Sequence, residues 1–517
     1  MDSPTTTLLD SVTRSKQSET KGQIRGSSLL LAGQGLSKGI NFTVQVLIVR
    51  YLSQTEYGSF AYALSIVHMA QTFATFGLDR AITRFVPIYH ERSDYNKLFG
   101  TMIMVVGTIL SLGLAIALLF QVFQGLIARS YIDNQQVLSL LLLLIFLAPV
   151  QAFDNLLVGM FAVIANPRAI FFRKHILAPS LKLGVVLLLI LLHGNVVFLA
   201  AGYLAASVLG VLFYVFILLR LLKGQGWFQQ FNLSTINIPW REVLAFTIPL
   251  LSSELVYVAM NSMDAIMLEH FRSVTDVAAL RAVQPVAAMN FYVMTSFNTL
   301  FMPLAARMFA RNDREGINNL YWQTAIWIAI LTFPIFALTF SLARPITLLL
   351  YGERYENSAI LLALFALGNY FHAALGFNGL TLKVYGKLRY IVTLNIAAAV
   401  ANLLVNLLLI PRYGALGAAI GTCGTLFLHN ILKQAGLRLG TGINLFEWRY
   451  FKVYLTITLS ALGLLVVQRV FSLPVYASIA LAGLLSFLVF RLNRRLLNVS
   501  ETFPELLRIP LIRRILA

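Results

Sequence analysis

Lys38 puts an ammonium in the middle of an apolar stretch, flanked by Gln34, Asn41 and Gln45. Steps of four, three and four residues bring these side chains to one side of an α-helix. Later in the chain Glu254, Tyr257, Asn261 and Asp264 share one helical face in the same way, at steps of three, four and three. A cation near mid-bilayer costs about 2.5–3.5 kcal/mol on insertion scales, so such a stripe must face water or a partner rather than lipid. Both stretches are therefore read as walls of a polar pathway through a membrane. Lys38 and Glu254 occupy equivalent places in the two stretches, and their opposite charges are able to meet as a cavity pair or a structural ion pair.

Other faces carry similar groups. His68, Thr72, Thr75 and Asp79 line one helix, and Gln151, Asp154 and Asn155 another. Arg281, Gln284, Tyr292 and Thr295 mark a third, which Pro285 is expected to bend. Asn395, Asn402 and Asn406 mark a fourth, where hydrogen bonds between helices compete with a ligand role. Asp154 and Lys182 are placed to form either a structural pair or part of a cavity. Phosphate-cradling GxxxxGK[ST], HExxH and CxxC patterns are absent, and no loop is large enough to house a soluble catalytic site. Neither an enzyme nor a cofactor is expected, and an ion gradient, the membrane potential or substrate supply is left as the energy source.

The elements that must position these groups follow from composition. The chain has 517 residues, 58% hydrophobic and 12% charged, which is the balance of a polytopic membrane protein. The formal charge of +19 is spread over short loops, where topology explains it, so nucleic acid is not an expected partner. The single Cys423 excludes an intrachain disulfide. Fourteen spans are read, at about 28–50, 57–79, 98–121, 136–162, 170–192, 196–220, 243–268, 277–302, 320–343, 357–381, 390–410, 414–435, 451–471 and 474–491. The fifth is interrupted by Arg173, Lys174, His175, Pro179 and Lys182. With the N-terminus inside, the inner loops and termini hold about 30 of the 40 Lys and Arg residues and the outer loops about seven. Both termini are therefore expected in the cytoplasm. The first 26 residues show no short apolar core with a cleavage site, so the first span is expected to act as its own insertion signal.

Six parts result. Residues 1–27 form a cytoplasmic segment, 28–220 an N-lobe of six spans, 221–242 a cytoplasmic linker, 243–435 a C-lobe of six spans, 451–491 two added spans, and 492–517 a basic amphipathic tail. Trp227, Phe228, Phe231 and Trp240 give the linker interfacial aromatics. A weak repeat at an offset near 220 residues supports the two lobes, through Thr55-Glu56 with Thr275-Asp276, Gly159 with Gly379, and Gly194 with Gly414. An even number of spans per lobe makes the repeat parallel, with a substrate site expected where the halves meet.

The stretch Arg50-Tyr51-Leu52-Ser53-Gln54-Thr55-Glu56-Tyr57-Gly58 resembles the turn between the first two helices of the polysaccharide-exporter branch of the multidrug/oligosaccharidyl-lipid/polysaccharide superfamily. The run Gly77-Leu78-Asp79-Arg80-Ala81-Ile82-Thr83-Arg84-Phe85 resembles that branch's helix 2 exit. Asp264 falls where its helix 7 often carries an acid, although Ala265 replaces the basic residue that often follows. The resemblance implies an all-α flippase of two six-helix lobes plus two helices, in a bacterial cytoplasmic membrane. It would move an undecaprenyl-pyrophosphate-linked oligosaccharide among membrane lipids, beside other glycan assembly proteins. Lys38, Arg281 and Lys182 then match cations for the pyrophosphate. Gln34, Asn41, Gln45, Tyr257 and Asn261 offer partners to sugars, and Glu254, Asp264 and Asp79 serve gating or coupling. A cation-coupled exporter of small molecules or drugs is the alternative on the same scaffold.

Overall fold

The computed structural model describes residues 32–130, 134–164 and 167–497. These residues are almost entirely helical, with no strand among them. Eleven of their helices are long and apolar enough to cross a bilayer, and the chain is an integral membrane protein. Among the described residues three expected spans fall short of that measure: the part of 28–50 from residue 32 on, 57–79 and 243–268. They are the ones that carry Lys38, His68 and Glu254, so the polar faces are what lower their apolar character. The least apolar of the eleven is Val274–Asn298, which carries Arg281. Apolar side chains left exposed, such as Leu118, Leu191, Leu212, Leu408 and Val466, make the surface that acyl chains cover. The N-terminal segment and the tail beyond residue 497 lie outside the described residues.

The chain divides into two compact units, Met1–Val258 and Ala259–Ala517, and the division falls inside the helix Trp240–Phe271. In the first unit a helix over 32–51 is followed by Gln54–Thr75. Ser53 caps the latter with a full capping box: the Glu56 N–H donates to Ser53 Oγ at 3.2 Å, and the Ser53 N–H donates to Glu56 Oε2 at 3.0 Å. The second unit repeats the cap on Val274–Ala288, where the Asp276 N–H donates to Ser273 Oγ at 3.3 Å. The Thr55-Glu56 and Thr275-Asp276 signals thus mark the same local device in each unit.

The apolar pattern predicts one span to residue 79 and the next from residue 98. The structure ends that helix at Thr75, because Phe76 and Gly77 both take the left-handed conformation, at φ 51° and 68°. A second helix, Asp79–Glu91, follows and buries Ile82, Phe85, Val86 and Tyr89. These sit at i, i+3, i+4 and i+7, the spacing of an amphipathic helix against a core. Their partners include Leu156, Met160 and Val243.

The linker is pinned to this helix and to the next, Tyr95–Val122. Trp227 stacks on His90 with ring centroids 5.0 Å apart, and Phe231 meets Phe99 edge-on at 5.0 Å. Trp227 is thus buried by protein, whereas Trp240 stays exposed. The Asn237 N–H donates to the Asn96 carbonyl at 3.3 Å and Thr235 Oγ1 to Asn96 Oδ1 at 2.8 Å. At the linker's end Glu242 accepts from Tyr89 Oη at 2.8 Å and from Lys97 Nζ at 3.4 Å.

In the second unit the two C-terminal helices, Phe451–Phe471 and Val475–Asn493, join the fold through polar contacts. Tyr454 Oη donates to the Ala374 carbonyl at 2.9 Å, Ser341 Oγ to the Ala461 carbonyl at 2.8 Å, and Asn493 Nδ2 to Thr456 Oγ1 at 2.9 Å.

The linker latch lies outside the spans and sets a pH window. The Tyr89 hydrogen bond, then that of Lys97, holds the Glu242 carboxyl below its ordinary value of 4.5. Burial, then the bond to Glu242, pushes the Tyr89 hydroxyl from 10.0 to about 12. The Glu242 contribution is therefore full above its ordinary value and fades as pH falls through the depressed one. The Tyr89 contribution is full below 10.0 and fades as pH rises towards about 12. Hydrogen exchange of residues 221–242 is expected to be slow between those limits and faster outside them. Tyr89→Phe is expected to speed it throughout that window.

Candidate functional site

The helix over 32–51 packs one face inside the first unit and leaves the other open. Gly33 lets it approach the fifth span closely, since a Cβ there would lie 2.7 Å from both His175 and Phe171. Ser37 Oγ meets His175 Nδ1 at 3.1 Å, and Val44 and Ile48 are buried. Of the polar stripe, Gln34 and Asn41 are exposed and Lys38 and Gln45 half-buried. Gln45 Nε2 donates to Tyr57 Oη at 3.4 Å.

Within the first unit a cavity of about 320 Å³ opens between Gln54–Thr75, Gln135–Val163, Arg168–Leu191 and Val196–Gly224. Asp154, Arg173 and Lys182 give it charge, and His68, Gln71, Gln151, Asn155 and Ser207 give it further polar groups. Arg173 is only 4% exposed. Its Nη2 donates to Asp154 Oδ1 at 2.9 Å, its Nε donates to the Gly210 carbonyl at 3.0 Å, and its guanidinium lies 5.6 Å from the Tyr214 ring centre. The planar, fixed-geometry fork of one guanidinium serves a carboxylate and a carbonyl together. Of the two roles open to Asp154 and Lys182, a structural pair or a shared cavity, the direct ion pair of Asp154 is with Arg173, and both residues line the cavity. Lys182 Nζ instead sits 5.5 Å from the Tyr203 ring centre.

The backbone that carries Arg173 is irregular. Phe171–Leu177 is a π-helical turn, closed by the Ala178 N–H on the Arg173 carbonyl. Pro179 follows and has no N–H to give the His175 carbonyl. Such widened turns recur at functional sites because they re-aim side chains. The five residues that interrupt this span in the sequence thus mark a distortion of one span rather than its absence.

Around the Phe76-Gly77 corner, Arg80 forms an ion pair with Glu254. The chain passes closely here, for a Cβ on Gly77 would lie 3.4 Å from the Thr247 carbonyl. Glu254 is thus engaged by Arg80, not by Lys38. Asp79 is half-buried beside them, at the start of its helix.

In the second unit Asp264 is 1% exposed. Its carboxylate accepts from Asn406 Nδ2 at 2.6 Å and from Thr422 Oγ1 at 3.0 Å, and Asn406 also donates to Asn402 Oδ1 at 3.1 Å. Arg281 is half-buried, with Nη1 donating to Gln284 Oε1 at 2.9 Å. The helix bearing it continues past Pro285 to Ala288, and the break comes as the 3-10 turn Met289–Phe291. Tyr257 and Asn261 lie in the helix Trp240–Phe271, but their side chains are outside the described residues.

The structure therefore gathers Lys182 into one cavity with Asp154, Gln151, Asn155 and His68. It joins Glu254 to Arg80, and Asp264 to Asn402, Asn406 and Thr422. Sequence reasoning passed over Arg173, Arg80 and Thr422 as site residues. The first two offered a signal: arginine beside or inside an apolar span needs a local acid, and Asp154 and Glu254 were in view.

The described residues thus form a helical membrane bundle with charged side chains set inside its spans. The profile of the family described as polysaccharide biosynthesis protein matches residues 24–309, more than half of the sequence, and the chain belongs to that family. The MatE profile matches residues 249–408. Both families fall within the multidrug/oligosaccharidyl-lipid/polysaccharide superfamily that the turn motifs resemble. Stage V sporulation protein B of Bacillus subtilis is 22% identical over 521 aligned positions, which cover 95% of this chain and 98% of that protein. An uncharacterized membrane protein of Methanocaldococcus jannaschii is 23% identical over 426, covering 79% and 83%. Among solved structures, the lipid II flippase MurJ in an inward closed conformation superposes with a TM-score of 0.72 at 15% identity, over 91% of this chain and all of that one. An inward-facing multidrug resistance MATE family transporter gives 0.62 at 13%, over 78% and 94%.

Two substitutions test the Arg173 network. Asp154→Ala leaves a buried guanidinium without its acid and is expected to cost about 3 kcal/mol, the low end for a broken buried pair because the carboxylate is partly exposed. Gly210→Ala would set a Cβ 2.8 Å from Arg173 Nη2 and displace the same group. Both should lower the unfolding midpoint in detergent. Their double mutant should be less destabilised than the sum, because both act on one guanidinium.

Proposed function

We propose that this chain is a flippase. It carries an undecaprenyl-pyrophosphate-linked oligosaccharide from the inner to the outer leaflet of a bacterial cytoplasmic membrane by alternating access, with both termini in the cytoplasm. One observation carries the reading: a member of the polysaccharide biosynthesis family holds Lys38, Lys182 and Arg281 within its helices. A pyrophosphate headgroup crossing hydrocarbon needs fixed positive charge, and sugar hydroxyls need amide and hydroxyl partners. The fold shared with a lipid II flippase supports it.

In this reading Lys38, Arg281 and Lys182 bind the substrate's anionic parts, and Gln34, Asn41, Gln45, Tyr257 and Asn261 bind its sugars. Glu254 and Asp79 gate: Arg80 holds Glu254 in the state described, and its release would free a carboxylate to meet Lys38. Asp264, inside its amide and hydroxyl cage, is the coupling carboxylate. Residues 28–220 and 243–435 act as parallel lobes, and no catalytic step is required. Replacing Lys38 and Arg281 together by Ala is expected to lower surface glycan at least about tenfold at matched protein level, the scale of 1.4 kcal/mol in headgroup binding. Unchanged surface glycan in that double mutant would contradict the assignment.

The MatE match to residues 249–408 favours a second reading, a cation-coupled exporter of small molecules. Its essential groups would be the acids Asp79, Glu254 and Asp264. It predicts that deletion sensitises cells to drugs, whereas the flippase reading predicts unchanged drug susceptibility alongside lost surface glycan.

A further inference from the structure

The geometry assigns the cavity of the first unit to an acidic sugar residue: Lys182 receives its single carboxylate, and Gln71, Gln151 and Asn155 receive its hydroxyls. This deepens the flippase reading and rests on it for the physiological ligand, because it names a chemical feature of the glycan. The cavity, about 320 Å³, has room for one monosaccharide and sits at the small end of ligand pockets.

Charge selects the ligand. Arg173 and Lys182 are positive and Asp154 is negative, so these three groups leave one surplus positive charge on the walls. Arg173 and Asp154 neutralise each other at 2.9 Å. Among the described residues Lys182 has no hydrogen bond and no direct ion pair; it faces Tyr203 at 5.5 Å and feels Asp154 only across the cavity, shared with Arg173. An ammonium held out of bulk water with only a distant, shared counter-ion is costly, and a monoanion at hydrogen-bond distance lowers that cost. Pyrophosphate would overshoot, adding surplus negative charge close to Asp154.

Amides set the rest. The side chains of Gln71, Gln151 and Asn155 make no hydrogen bond to another described residue, yet all three line the cavity. An amide both donates and accepts, which is what a hydroxyl requires. Structural polar groups inside a membrane bundle normally bond to a neighbouring helix. Three amides with no hydrogen bond to another described residue and one ammonium without a direct ion pair around a single void form a polyol-and-carboxylate receptor. The π-helical turn Phe171–Leu177 presents it, because it aims Arg173 at Asp154 and Gly210 and leaves Lys182 as the open cation.

The test uses the purified full chain in detergent, with the unfolding midpoint followed against glucuronate, glucose and inorganic pyrophosphate. Glucuronate is expected to raise the midpoint saturably, with glucose at least tenfold weaker and pyrophosphate no better than glucose. Lys182→Met should bring glucuronate down to the glucose level, Lys182→Arg should restore it, and Lys452→Met, in the second unit, should change nothing. If Lys182→Met does not fold, Gln151→Leu with Asn155→Leu is read instead and should weaken glucuronate at least tenfold. Equal response to glucose, a preference for pyrophosphate, no response to any of the three, or full glucuronate binding in these variants would overturn the assignment. The measurement needs no transport, so its failure removes the acidic sugar alone. Unaltered surface glycan in the Lys38 and Arg281 double mutant would remove the flippase reading instead.

Discussion

An ionised side chain inside an apolar helical bundle must meet an opposite charge, an amide cage or water, because the hydrocarbon around it offers none of these. This chain meets that constraint in three ways. Arg173 is matched by Asp154 and a backbone carbonyl in the first unit. Glu254 is matched by Arg80 at a chain corner. Asp264 is enclosed by Asn406, Asn402 and Thr422 in the second unit.

The backbone departs from regular helix where such polar groups gather. The π turn Phe171–Leu177 bears Arg173. A second π turn, Ala337–Ser341, carries Thr339, which accepts from Asn290 of the 3-10 turn Met289–Phe291 at 3.2 Å. Gly376, at φ 69°, breaks a span between Ala374 and Asn378. Carbonyls freed at that break are taken by Tyr321 and Tyr454. Membrane helices tolerate such breaks only where other groups re-satisfy the backbone, and the tyrosines do so here. Irregular helix and buried polarity are therefore two sides of one adjustment.

The apolar architecture was legible in the sequence because span length and apolar content are local properties. The Thr55-Glu56 and Thr275-Asp276 repeat was legible for the same reason, although the Ser53 and Ser273 caps beside it were not read. What could not be read was pairing. Asp154 had Arg173 and Lys182 in reach on one neighbouring span, and periodicity does not say which one a widened turn will aim at it. Glu254 had Lys38 as a partner by repeat equivalence, but the Phe76-Gly77 corner brings Arg80 to it instead. The helix Asp79–Glu91 was hidden by charge: Arg80, Arg84 and His90 made it look like loop, while its apolar face sat at helical spacing throughout.

The central claim is that the charges and amides kept inside the spans serve a lipid-linked anionic glycan. Proteoliposomes holding the purified chain and a polyprenyl-pyrophosphate-linked oligosaccharide test it most directly, through the fraction of glycan that an impermeant lectin or glycosidase reaches over time. The account predicts a rise from about half to nearly all of the lipid-linked glycan reached, the limit set by two equal leaflets that exchange, and no such rise without protein or with Lys38 and Arg281 replaced. Glycan that stays at its starting accessibility while the same vesicles exchange a small cationic drug would contradict it.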